Sequence, residues 1–166
     1  MPSESARAST AAEARFRVQA PNSVPRSVVV VALDGPGADA AADLAARAWR
    51  GAAFWHARDF APAQASRLEG FLADLAGCTQ RLVEVVEAAD LVVLLTGPAG
   101  TEGAALPAIA EAAAARRVTV IGVVVASEPG ASALSRSLAA LRPHVAMLVR
   151  AQDPDYAAAM LEALRA

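Results

Sequence analysis

The chain has no lysine: all fifteen of its basic residues are arginine. Together with the abundance of alanine, this points to the coding bias of a GC-rich bacterial genome rather than to a functional adaptation, and it weakens arguments from bulk composition. Cysteine occurs once, as Cys78, which excludes an intramolecular disulfide and a cysteine-based zinc site and makes the cytoplasm the expected compartment. Histidine occurs twice, as His56 and His144, and neither has a motif partner, so no Ser/His/Asp triad or metal-ligand spacing is legible. Long apolar runs are missing as well. The longest, Ser27 to Leu33 and Val118 to Ala126, fall far short of the roughly 18 residues that cross a bilayer, and no signal-peptide pattern is found at the start, so no membrane insertion is expected. Neither charge sign dominates: 17 acidic against 15 basic residues give a net charge of −2. General attraction to nucleic acid or anionic lipid is therefore not expected.

What is present describes a folded domain. Hydrophobic residues make up 55% and charged residues 19% of the chain, a balance that excludes wholesale disorder. The 166 residues suit one core. Alanine offers little side-chain area, so that core must rest on the Val/Leu/Ile runs and a few aromatics. Residues 1–26, rich in Ser, Ala, Pro and Arg with some apolar spacing only at Phe16 and Val18, are expected to form a mobile arm. The domain proper is expected to span 27–166.

From Ser27 onward, short β-branched runs alternate with alanine-rich helical stretches, the pattern of strands joined by crossover helices. Five strands are expected, at Val28–Leu33, Ala52–Ala57, Leu91–Thr96, Thr119–Val125 and Val145–Val149. The first, third and fourth are continuously apolar, as parallel strands covered on both faces should be. Helices are expected over Asp39–Arg50, Ser66–Ala76, Thr79–Ala88, Gly103–Arg117, Ser132–Leu141 and Asp155–Leu164. The fold class that follows is α/β: a three-layer, doubly wound, mainly parallel five-stranded sheet in order 2-1-3-4-5 with helices on both faces.

Two glycine turns carry the functional signal. Asp34-Gly35-Pro36-Gly37-Ala38-Asp39-Ala40 follows strand 1, opens a helix and fits G-x-G-x-x-A. Thr96-Gly97-Pro98-Ala99-Gly100-Thr101-Glu102-Gly103 does the same after strand 3. Glycine in such a turn lets backbone N–H groups approach a phosphate at the positive end of a helix. In the expected strand order the two turns face one crevice at the switch point, where open α/β sheets bind ligands.

The stretches Ala89–Gly97, Gly100–Glu111 and Thr119–Val124 resemble the phosphate-loop region of FtsZ, the bacterial relative of tubulin. That family has an Ala-Asp-apolar strand, a Gly-Gly-Gly-Thr-Gly-Thr-Gly loop, an Ala-Pro-containing helix and a Thr-Val strand. Gly35-Pro36-Gly37-Ala38-Asp39 resembles its first loop, Gly-Ala-Gly-Gly-Asn, and Leu138–Val149 resembles a later helix and strand. The resemblance implies phosphate contacts from Gly35, Gly37, Gly97, Gly100, Thr101 and Gly103, with Asp39 near a base, and GTP or GDP as ligand. Pro98 and Glu102 depart from the pattern, and Glu102 sets negative charge beside a helix start, which opposes a triphosphate. The family's acidic hydrolytic loop has no counterpart here, so binding without turnover is expected.

Other readings stay open. An NAD(P)-dependent oxidoreductase would use Gly35, Gly37 and Asp59, the last lying about 20 residues past the first turn where a ribose-binding acid belongs. An interaction module that has lost its ligand would explain Pro98 and Glu102. A homo-oligomer is compatible with either. His56 is read as a packed edge residue before a ligand, and His144 as a turn residue. Cys78 is read as inert packing at a helix start, and Trp49 and Trp55 as core before interface.

Overall fold

A computed structural model of the chain describes residues 25–57, 60, 70–98, 105–126 and 131–166. Residues 1–24 of the expected arm, Asp59 and the stretch Gly100 to Gly103 lie outside the described residues, while Arg26 N–H donates to Arg165 O at 3.0 Å. Seven strands form one sheet: β1 (Val28–Ala32), β2 (Ala52–His56), β3 (Phe71–Asp74), β4 (Thr79–Arg81), β5 (Leu91–Thr96), β6 (Thr119–Val125) and β7 (Met147–Ala151). Among the described residues five helices accompany them: α1 (Gly35–Ala45), α2 (Leu82–Glu87), α3 (Ala105–Arg116), α4 (Ala131–Leu141) and α5 (Pro154–Ala163).

The fold is mixed α/β, but the sheet is not the five-stranded one expected. Its order is β4-β3-β2-β1-β5-β6-β7. The pairs from β2 through β1, β5 and β6 to β7 are parallel, whereas β3 and β4 add an antiparallel hairpin beside β2. Every residue of β1 and β5 is buried, while β4 at one edge is exposed throughout. The central strands must be apolar on both sides because a layer of helices covers each face. Val29, Val31, Val92 and Leu94 pack with Val85 and Val86 of α2 and Leu106 and Ile109 of α3. On the opposite face Val28, Val30, Val93 and Leu95 pack with Leu44 of α1 and Leu161 of α5.

The hairpin takes the described part of one expected helix and the start of the next, whose remainder is α2. Residues 70–76 of the first hold β3 and its turn, and residues 79–81 of the second form β4. Apolar spacing in so short a window fits either state, and the turn chemistry decides. Asp74 Oδ1 accepts the N–H groups of Ala76 and Cys78 at 2.9 and 2.8 Å, and Gly77 has φ +88°. Cys78 is therefore an exposed turn residue, not a packed helix start. Gly77→Ala is expected to cost about 1 kcal/mol through the strained φ, measured as a lower denaturant midpoint with ligand affinity unchanged.

Elsewhere the boundaries move. Helix α1 begins at Gly35 and stops at Ala45, four residues earlier than expected at its start, because Asp34 caps it and Pro36 suits its first turn. Trp49 lies beyond the helix, where its Nε1 donates to Leu44 O at 2.7 Å and its ring meets Phe54. Strand β7 starts two residues later than expected because a 3-10 turn, Arg142–His144, follows α4 and holds His144. No helix among the described residues is long and apolar enough to cross a membrane.

Candidate functional site

The ends of β1 and β5 lie side by side, Ala32 opposite Leu95, so the turns that leave them share one crevice. Helix α1 covers one face there and α3 the other. Beyond the strands, Leu33 N–H donates to Leu95 O at 2.9 Å, which keeps the two chains together for one more residue.

At the crevice floor a single carboxylate organises both turns. Asp34 Oδ1 accepts the N–H of Gly37 at 2.7 Å. The N–H of Gly97 reaches Oδ1 at 3.1 Å and Oδ2 at 3.0 Å. Thr96 Oγ1 donates to Oδ2 at 2.5 Å. On the other side of the residue, in the Gly97–Pro98 peptide, Gly97 O accepts from Ser137 Oγ of helix α4 at 3.1 Å. Thr96 and Ser137 are 4% and 1% exposed, so these bonds exchange little with water and hold the peptides on either side of Gly97.

The glycines of the candidate site divide by what surrounds them. A Cβ on Gly37 would stand 2.5 Å from Leu95 O and 2.9 Å from Asp34 Oδ1, and one on Gly97 would stand 2.5 Å from Pro36 Cβ. Both positions are glycine because helix and strand approach too closely for a side chain. A Cβ on Gly35 would meet nothing within 4 Å, and Gly35 has no positive φ. Internal packing does not explain that glycine, and it is exposed at the first position of α1.

The electrostatics differ from those of a bare phosphate cradle. Two of the amides expected to hold a phosphate, those of Gly37 and Gly97, already bind the Asp34 carboxylate. Asp39 is exposed and, with Pro36, Asp43, Gln152 and Asp153, lines a cavity of about 320 Å³ next to the turn. Its carboxylates disfavour an anion on that flank. Gly100, Thr101 and Gly103 lie outside the described residues, so the structure brings together Gly35, Gly37, Asp39 and Gly97 of the residues anticipated from sequence.

Asp34 and Ser137 were not anticipated as site residues. The signal for Asp34 was available: an aspartate just before Gly-Pro at a helix start is a capping signature. Nothing in the sequence marks Ser137, which reaches Gly97 across 40 residues. His56 ends β2 one strand from the crevice, opposite Ala32. No group of three or more His, Cys, Asp or Glu side chains among the described residues could hold a metal ion. Comparison with protein-family models, with curated proteins and with solved structures gave no match.

Proposed function

We propose that this domain binds a phosphorylated small molecule, a nucleotide foremost, across the crevice at the ends of β1 and β5, and does not turn it over. The observation that carries the reading is Gly35: a glycine with free space around it and an ordinary φ, at the first position of a helix that opens on a switch-point crevice. Close approach of a ligand accounts for such a glycine where packing does not. The resemblance of residues 27–153 to the nucleotide-binding half of FtsZ and tubulin supports the same reading. With Asp34 holding the Gly37 and Gly97 amides, the ligand's phosphate rests on the Gly35 N–H.

A second reading, an interaction module without a ligand, draws on the same carboxylate. Asp34 fills the anion position that a nucleotide would use. A thermal-shift panel of GTP, GDP, ATP, NAD and ribose 5-phosphate separates the two. At a hundredfold excess over Kd a bound ligand adds about 2.7 kcal/mol, or roughly 5–10 °C in Tm for a domain of this size. Gly35→Ala is expected to leave the unliganded Tm within about 2 °C and to abolish the shift, with no phosphate released from GTP above background. A chain unmoved by every probe is an interaction module, and a shift with NAD alone favours an oxidoreductase.

A further inference from the structure

The two edges of the sheet differ in composition. At one end β4 reads Thr79-Gln80-Arg81 and is exposed throughout, the short, polar kind of strand that ends a sheet against water. At the other end β7 reads Met-Leu-Val-Arg-Ala, with a single charge at Arg150, a composition that suits a strand with neighbours on both sides. No strand among the described residues pairs with its outer edge. Ala146 N–H donates to Val120 O at 2.8 Å. In a parallel ladder alternate residues turn their peptide groups to opposite neighbours, so Leu148 also faces β6, and the N–H and C=O of Met147 and Val149 face outward.

Apolar side chains and charge are both arranged along this edge. Met147 is 43% exposed. On α5, Ala157, Ala158 and Leu161 face the sheet, and Asp155 pairs with Arg47, which follows α1. Tyr156 and Met160 stand roughly 100° and 140° round the helix from Asp155, on the flank away from α1, and Tyr156 is 56% exposed. The 3-10 turn that enters β7 carries Arg142, exposed and in no ion pair among the described residues. Asp153 follows β7, exposed, with Oδ1 accepting the N–H of Tyr156 at 2.8 Å. The edge is therefore basic where the strand begins and acidic where it ends.

We propose that β7 pairs antiparallel with β7 of a second copy of this chain, about a two-fold axis perpendicular to the sheet, with Leu148 opposite Leu148 of the partner subunit. Met147 then exchanges N–H and C=O bonds with Val149 of the partner subunit, and the symmetry repeats the exchange on the other side of the axis. A register centred on Val149 would call on Ala151 O, which already accepts the N–H of Ala126 at 2.8 Å. The antiparallel direction sets Arg142 of each chain beside the partner's Asp153, where a parallel pairing would set like charges together. Helix α5 packs on β6 and β7 alike, so it stands about one strand spacing from the axis. The two copies of α5 are then about 10 Å apart, the ordinary separation of packed helices, with Tyr156 and Met160 between them. A second copy thus pairs the outward peptide groups, covers Met147 and Tyr156 and joins opposite charges at once. The inference is independent of the binding reading above.

The test is sedimentation velocity of the full chain between about 1 and 100 µM, for the unsubstituted protein, Met147→Lys, Arg142→Glu and Gln80→Lys. Met147→Lys places a charge on the outward edge, the usual block to strand pairing. Arg142→Glu sets an acid against the partner's Asp153 without removing an ion pair from the monomer. Gln80→Lys alters the opposite edge and is the control. The expected result is a dimer for the unsubstituted protein and for Gln80→Lys, with a dimer dissociation constant raised about tenfold or more in Met147→Lys and in Arg142→Glu. A monomer at about 100 µM overturns the inference. An unchanged dissociation constant in either edge variant, or a dimer weakened by Gln80→Lys, places the contact elsewhere and overturns it as well. Should Met147→Lys fail to fold, Arg142→Glu decides alone.

Discussion

Asp34→Ala is expected to lower the stability of the domain by about 3 kcal/mol, the combined loss of a helix cap and of charge-assisted hydrogen bonds to partly buried donors. The substitution frees the Gly37 N–H at the start of α1 and, on the β5 side, the Gly97 N–H. Thr96 Oγ1 has Gly97 O within 3.3 Å as a second partner, so the hydroxyl loses least. For a domain of this size the change corresponds to a Tm lower by roughly 6–12 °C. Asp34→Asn is expected to fall between: its carbonyl oxygen still caps Gly37, but its amide presents N–H toward the Gly97 N–H. Denaturant midpoints for both variants check this, and a loss below about 1 kcal/mol in Asp34→Ala would reduce Asp34 to an ordinary surface cap.

Gly37→Ala is expected to do comparable damage for a steric reason. A methyl group 2.5 Å from Leu95 O and 2.9 Å from Asp34 Oδ1 forces α1 away from β5 or expels the carboxylate from its place. Overpacking costs typically about 1–3 kcal/mol, and here backbone, not a flexible side-chain end, must yield. Gly35→Ala two residues earlier meets no atom and is the internal control. Equal midpoints for the two alanine variants would show that the turn adapts and that Gly37 is not a close-approach glycine.

These contrasts show where sequence reasoning reaches and where it stops. The continuous apolar runs Val28–Leu33 and Leu91–Thr96 are legible as central strands because burial on both faces leaves no room for alternation, and β1 and β5 are there. The hairpin of β3 and β4 is not legible in that way. Phe71 and Leu72 satisfy a helical stripe as well as an alternating one, and the decision rests with Asp74 and Gly77, whose turn is built by side-chain and backbone bonds only four residues long. The two glycine turns are visible in sequence, but their division of labour is not. Gly35, Gly37 and Gly97 look alike on paper and differ only in what a Cβ would touch. The tie from Asp34 to Gly97 spans 63 residues, and nothing local encodes it.

The placement of β1 also bears on how the chain leaves the ribosome. Strand β1 pairs with β5, 63 residues later in the chain, as well as with nearby β2. At about 5–20 residues per second, Val28–Ala32 therefore waits roughly 3–13 s for one of its two neighbours after it has been made. Val-Val-Val-Val-Ala is a charge-free, β-branched segment of the kind that pairs with copies of itself. During that interval it competes between the hairpin side of its own sheet and other nascent chains. Slow synthesis or a high local concentration of unfinished chains should thus favour aggregation through this strand, and the native protein escapes it only once Leu91–Thr96 closes the second edge.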